Sequence, residues 1–252
     1  MPFTLSHPAI VLPLNWLPSR WVSMTGLIIG SLAPDLQSYF TSGGKTHSHT
    51  WLGIIWFCIP VSIVLSFAFH LVVREMLIMH LPRMLQIKMI RYKDVNWMDQ
   101  FRKRWLIVIP SIAVGAASHL FWDSFSHFDG FFIRDNPALQ GNMDVFGKSV
   151  EIPFVIQYVN SILGLIVIAI AILQVPRSRN VRIRVVILKY WVIIGVLTTI
   201  LAFLNVNPSD QFKLDDLVTN VISAFCTALL ITSYLFKQGY VKDAWKLVPK
   251  KH

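Results

Sequence analysis

The chain has 252 residues, of which 54% are hydrophobic and only 14% charged, and its formal net charge is +10. An ordinary soluble domain carries about 25% charged residues, and a soluble fold of this size cannot hide so much apolar sequence in five long runs, so a globular soluble protein is excluded and an integral membrane protein is expected. The positive charge falls in the loops between those runs, which makes it a topology signal; nucleic acid is not an expected partner.

In chain order, the first residues, Met1 to His7, lack the basic stretch and unbroken apolar core of a cleaved signal. The first long apolar run is then expected to insert without cleavage. Ser6-His7-Pro8 places an imidazole near the N-terminus, either as a metal ligand or as an ordinary polar terminus. Val22–Leu36 is apolar but short and contains Gly26, Gly30 and Pro34. It reads as a packed or re-entrant helical segment; were it to span, His7 would lie on the far side of the membrane. Pro34 biases Ala33 toward extended backbone, which would end the run and project Asp35 from Ser31-Leu32-Ala33-Pro34-Asp35. Thr46-His47-Ser48-His49-Thr50 follows. The two histidines are two apart, so in extended backbone they face the same way, and Ser48 or Thr50 could cap the next helix. One of the pair is expected as a ligand, with His49 favoured because it is closer to that helix.

Five runs are long enough to cross the hydrocarbon, which takes about 20 apolar residues. They are Trp51–Val73, Trp105–Trp122, Ile152–Val175, Val185–Leu204 and Leu217–Phe236. In lipid such runs must be helices, because every backbone donor needs a partner. The expected fold is therefore an all-α polytopic bundle in a single domain, residues 1–252, with a metal-site segment at 1–50, a basic loop at 74–104 and an external loop at 123–150. Cys58 and Cys226 sit inside apolar runs as small hydrophobes and form no thiolate zinc site.

Of the 23 Lys and Arg residues, 18 lie in three segments: the Arg74–Arg104 loop, the stretch from Arg177 to Lys189, and the tail from Lys237. With five spans these three share one side, which the positive-inside rule makes cytoplasmic; they also suit contact with anionic lipid. Met84–Tyr92, within the first of them, is amphipathic. It reads as a surface-lying helical hairpin, with docking of a protein partner as the sharper alternative.

Most acidic residues and histidines occupy the other face. Ser118-His119-Leu120-Phe121-Trp122-Asp123, continued to His127, spaces three metal-binding side chains at i, i+4 and i+8, which on one helix form a stripe. Imidazole and carboxylate on adjacent turns can grip one zinc ion or bridge two. Ionisable groups at the end of a membrane helix are costly unless paired or metal-bound; a hydrogen-bonded helix end is the plainer alternative. His70, His80 and His252 read as structural or solvated, Asp129, Asn142, Asp144 and Glu151 as outer groups, and Gln157 with Ser161 as helix-packing polar residues. Spans three to five carry almost no ionisable groups, which argues against an ion-conducting path.

The order Phe3-Thr4-Leu5-Ser6-His7-Pro8, Gly30-Ser31-Leu32-Ala33-Pro34-Asp35, Ser48-His49-Thr50 and Ser118-His119-x-x-x-Asp123 resembles a family of uncharacterised bacterial membrane proteins related to the YdjM-like membrane-bound metal-dependent hydrolases. It is more distantly similar to zinc-dependent phospholipase C. The resemblance implies His7, Asp35, His49, His119, Asp123 and His127 as zinc ligands, with Asp123 bridging. Those soluble enzymes carry a second His-x-x-x-Asp that is missing after His127 here, so one or two ions are expected rather than three. It further implies a multi-pass protein of the bacterial cytoplasmic membrane with the site on the extracytoplasmic face, hydrolysing a phosphoester or related ester of a lipid-like substrate, with Asp35 or Asp123 as bridge or proton acceptor. A non-catalytic metal-stabilised scaffold, or a transporter, is the alternative.

Overall fold

A computed structural model describes residues 4–40, 47–127, 130–178, 187–205 and 214–246. A 3-10 arm (Thr4–Trp16) leads into α1 (Met24–Phe40). The long helix α2 (Trp51–His80) contains two π-helical turns, Ile54–Cys58 and Phe69–Val73. Then come α3 (Arg83–Met89), α4 (Trp97–Asp123) and the single turn α5 (Phe131–Arg134). A two-stranded hairpin, β1 (Asn142–Val145) with β2 (Lys148–Glu151), precedes α6 (Ile152–Gln174), α7 (Ile187–Leu204) and α8 (Leu214–Lys246).

Five of these helices are long and apolar enough to cross a membrane: α2, α4, α6, α7 and Leu217–Gly239 of α8. Their large apolar side chains face outward. Ile162, Leu163, Ile166 and Ile170 of α6 are exposed, as are Leu188, Val192, Val196 and Ile200 of α7. Water would penalise each such residue by roughly 1.5–3 kcal/mol relative to burial, whereas lipid does not. The protein is a helical membrane protein. The expected spans are recovered with the first two extended, because α2 continues to His80 and α4 begins, before a kink at Arg104, at Trp97.

The contacts fall into two units, residues 1–66 with 99–174 and residues 67–98 with 175–252. In the second unit, α7 and α8 pack on a core of Met76, Tyr190, Ile194 and Ala228. His80, expected in the basic loop, instead ends α2. It is buried, its ring is stacked 4.3 Å from that of Tyr190, and its carbonyl accepts from Trp191 Nε1 at 2.8 Å. Tyr190 Oη and Ser233 Oγ are hydrogen-bonded at 2.7 Å. His70 stacks on Trp97 and meets Arg74 Nη1 at 2.7 Å. The Arg83–Met89 helix forms within the basic stretch, as the amphipathic pattern requires. His252 and Asp129 lie outside the described residues.

The first unit positions the site. Pro34 does not end the apolar segment; it sits inside α1, which runs on to Phe40. A proline removes one backbone donor and crowds the preceding turn, but helices packed among others tolerate it. α1 lies beside α4 in the same direction. Gly26 faces the carbonyl of Val108, and Gly30 that of Ile112, further along. At this seam the backbones almost touch: a Cβ on Gly30 would stand 2.3 Å from Ile112 O, and one on Gly115 2.3 Å from Leu27 O. Small residues four apart, Gly26 and Gly30, allow that approach.

The 3-10 arm runs the opposite way. Thr4 and His7 reach the Asp35 and Asp123 end, and the residues just after the arm meet Arg104, whose guanidinium donates to the carbonyls of Ser19 and Val22. The 13 residues of the arm cover about 26 Å at 2.0 Å per residue. The 17 residues of α1 cover about 25 Å at 1.5 Å per residue. The two lengths match, so the N-terminal arm and α1 form an antiparallel pair that returns to its starting end. This removes the conflict raised above: α1 runs along α4 for most of its length, yet His7 remains at the site.

Candidate metal centre

Three segments bring four polar side chains to one place. Asp35 comes from α1, His49 from the turn before α2, and His119 and Asp123 from the last turns of α4. One ligand atom from each lies within 4.8 Å of all the others. Asp35 and His119 are fully enclosed, at 1% and 0% exposure, while the His49 side chain keeps 21% and forms the accessible edge. The buried apolar residues Ala33, Ile54, Cys58 and Ala116 pack between the same elements.

Each imidazole is turned the same way by a second bond. His119 Nδ1–H donates to the Ser31 carbonyl at 2.7 Å, and His7 Nδ1–H to the Thr4 carbonyl at 3.1 Å. The Ser48 hydroxyl donates its proton to Pro34 O at 2.7 Å, so towards His49 Nδ1, 3.2 Å away, it can only accept. Each ring therefore keeps a proton on Nδ1 and turns Nε2 inward, where a neutral ring presents a lone pair and a protonated ring an N–H. There the nitrogens meet carboxylate oxygens: His119 Nε2 lies 3.3 Å from Asp35 Oδ1 and 3.1 Å from Asp123 Oδ2. His49 Nε2 is 3.2 Å from Asp35 Oδ1 and 3.7 Å from Asp123 Oδ2, and His7 Nε2 is 3.1 Å from Asp123 Oδ1.

Lone pairs facing carboxylates repel unless a proton or a metal cation lies between them. His119 Nε2 and Asp123 Oδ2 are both buried without a hydrogen bond, although they lie 3.1 Å apart. That donor set, nitrogen and oxygen with the far ring nitrogens anchored, is what a divalent cation requires. The group could hold a metal ion. Burial alone would raise the Asp35 carboxyl, but the positive charge of a protonated His119 and hydrogen bonds from His119 and His49 override it and hold the group well below the usual carboxylate range. The Thr4 hydroxyl adds a hydrogen bond to Asp35 Oδ2 at 2.6 Å.

The remaining expected residues divide. His7 joins the group through Asp123, its ring stacked 3.9 Å from that of His119. His127 does not continue a helical stripe, because α4 ends at Asp123 and a turn follows, with His127 N donating to Asp123 O at 2.9 Å. Its Nε2 accepts from Gln157 Nε2 at 3.2 Å, which leaves the proton on Nδ1, 4.0 Å from Asp123 Oδ1. Burial pushes the His127 imidazole below its ordinary value, with Asp123 opposing. His47 stays outside: it is exposed, and its carbonyl accepts from Thr50 Oγ1 at 2.8 Å. Thr50, not Ser48, caps α2, accepting from Gly53 N at 2.9 Å. Asn142, Asp144 and Glu151 are exposed on the β1–β2 hairpin.

The anchors Thr4, Ser31 and Ser48 were not readable as functional from sequence. Serine beside each histidine motif was the only signal, and two of the three bonds use backbone carbonyls. Ser48 is fully buried, and its backbone N–H also donates to Gln37 Oε1 at 2.8 Å. Ser48→Ala is expected to weaken metal binding about 10–100-fold, the usual cost of losing a residue that orients a ligating histidine. Titration with a competing chelator checks this, and an unchanged affinity would show that His49 needs no such anchor.

The fold and the site together define a polytopic helical membrane protein with a buried Asp/His group able to hold a cation at the end of its second span. The chain belongs to the family described as Domain of unknown function (DUF4184), which matches residues 1–234. No curated protein and no solved structure matches it.

Proposed function

We propose that the protein is a membrane-embedded zinc-dependent hydrolase acting on a phosphoester or related ester of a lipid-like substrate. The observation that carries the reading is the inward convergence of three imidazole Nε2 atoms on two carboxylates. A bound zinc ion supplies Lewis-acid polarisation and lowers the pKa of a coordinated water. Asp35, His49, His119 and Asp123 would hold it, with His7 beside Asp123. Asp35 is enclosed and tied to Thr4, so its role is to hold charge. Asp123, with a side chain 12% exposed against 2% for Asp35, is the carboxylate placed to accept a proton. His49 and His127 form the open edge, where a headgroup would enter. By the positive-inside rule the site faces away from the cytoplasm of a bacterial inner membrane.

The test is direct. Protein purified in detergent is expected to retain one or two zinc ions, to release headgroup phosphate from phospholipids, to lose that activity with a chelator and to regain it with zinc. A metal-free preparation that takes up no zinc would overturn the site. A fully loaded protein inert toward a phospholipid panel would overturn the hydrolase. Occupancy is also expected to fall as pH is lowered, because protons compete with the cation for the imidazole nitrogens; metal content across a pH series reads this.

A second reading, a metal-stabilised scaffold, draws on the same donors. Asp35, His49, His119 and Asp123 already make four, enough to close a tetrahedral structural site. Chelation lowers thermal stability under both readings, and only the catalytic one predicts hydrolysis.

A further inference from the structure

The β1–β2 hairpin stands directly on α6: Ile152, the first residue of that span, donates its backbone N–H to Gly141 O at 3.0 Å. Its register pairs Met143 with Val150 and Val145 with Lys148. Side chains alternate across a strand, so Met143, Val145, Val150 and Lys148 share one face. Asn142, Asp144, Ser149 and Glu151 share the other. The hairpin is thus split into an apolar and a polar face, and Asn142 Nδ2 donates to Ser149 Oγ at 3.1 Å on the polar one.

The turn is built against local preference. Phe146 and Gly147 have φ of 53° and 78°, the pattern of a type I′ turn, whose first position ordinarily takes Asn, Asp or Gly. A bulky aromatic at positive φ is a conformational outlier. Asp144 Oδ1 holds the turn by accepting from Gly147 N at 2.8 Å. The result is a Phe146 ring that is fully exposed, at 102%, with Met143 exposed beside it at 43%. In water neither the strain nor the exposure is compensated.

We infer that the apolar face and tip of this hairpin rest in the lipid–water interface, extending the lipid-facing surface of α6. The occupant is the bilayer itself. The hairpin adjoins the first turn of a span-length apolar helix whose side chains Tyr158, Val159 and Ile162 are exposed. An interfacial position suits an aromatic ring at headgroup depth, and Lys148, the one charge on the apolar face, can extend its stem toward lipid phosphate. Gln157, which holds His127, lies about one and a half turns into α6 from the hairpin base. The inference stands whether or not the metal centre is catalytic.

The test is nitroxide labelling of single cysteines at Phe146, Met143, Ser149 and Glu151 in full-length protein carrying Cys226→Ala, with the buried Cys58 retained. The protein is reconstituted in phosphatidylcholine–phosphatidylglycerol vesicles. Collision with oxygen, which concentrates in lipid, is expected to exceed collision with a water-soluble nickel chelate several-fold more at 146 and 143 than at 149 and 151. Equal ratios at all four positions, or a water-like ratio at 146, would overturn the inference. All four sites are exposed or lie on the hairpin surface, so labelling leaves the helical core intact.

Discussion

Replacing His119 with alanine is expected to remove bound metal and to lower the thermal midpoint more than any other single change at the site. The ring is fully buried, and its Nδ1–H satisfies the Ser31 carbonyl across the α1–α4 seam. Without it, the Asp35 and Asp123 carboxylates are left facing each other with a principal counter-group gone. Removing one member of a buried charged set costs about 3–5 kcal/mol. The double variant His119→Ala with Asp123→Ala removes the second carboxylate as well. It is therefore expected to be less destabilised than the sum of the two single variants, the non-additivity of residues in one network. His47→Ala is the matched control and should retain full metal content, since His47 is exposed and outside the group. Metal analysis beside thermal unfolding in detergent reads both quantities. Unchanged metal in the double variant would remove the site altogether.

The second large effect is expected at Gly30. In a helix, glycine to alanine ordinarily stabilises by about 1 kcal/mol. Here the sign should reverse. The new Cβ would stand 2.3 Å from Ile112 O, 2.9 Å from Ile112 C and 2.9 Å from Ile112 Cα, all backbone atoms that no rotamer change can move. Overpacking of this kind costs roughly 1–3 kcal/mol, and relief requires α1 and α4 to separate. Separation lengthens the His119 Nδ1 to Ser31 O bond from 2.7 Å, and much beyond about 3.2 Å it no longer serves as a hydrogen bond. Gly30→Ala is therefore expected to lose thermal stability and metal affinity together, although residue 30 is not among the residues of the group. A variant as stable as the parent, with full metal, would show that the seam is looser than described. Gly115→Ala tests the same contact from the other helix, where its Cβ would meet Leu27 O at 2.3 Å.

The parts of the site readable from sequence were those set by local spacing. His119 and Asp123, four apart on one helix, converge because the 3.6-residue period places them on one face. His127 broke the same rule, since the helix ends at Asp123 and periodicity says nothing beyond a helix end. Pro34 misled in the opposite direction: its local bias against helix was overridden by packing of α1 along α4. The hairpin went unread although Asn142-Met143-Asp144-Val145 alternates polar and apolar residues, because four residues of alternation are weak beside spans of 20 or more.

Sequence alone determined the class. Long apolar runs in a lipid solvent must close their backbone hydrogen bonds internally, so helices of spanning length follow from composition and run length without reference to any partner. It also determined which chemistry is present, since His and Asp at helix ends are evident by inspection. Only the tertiary structure decided which lone pairs meet. His7 and Asp123 are 116 residues apart and 3.1 Å from each other, and that contact depends on the arm and α1 having matched lengths and on two glycines letting helices touch. Those are properties of packed backbones, which no local pattern encodes.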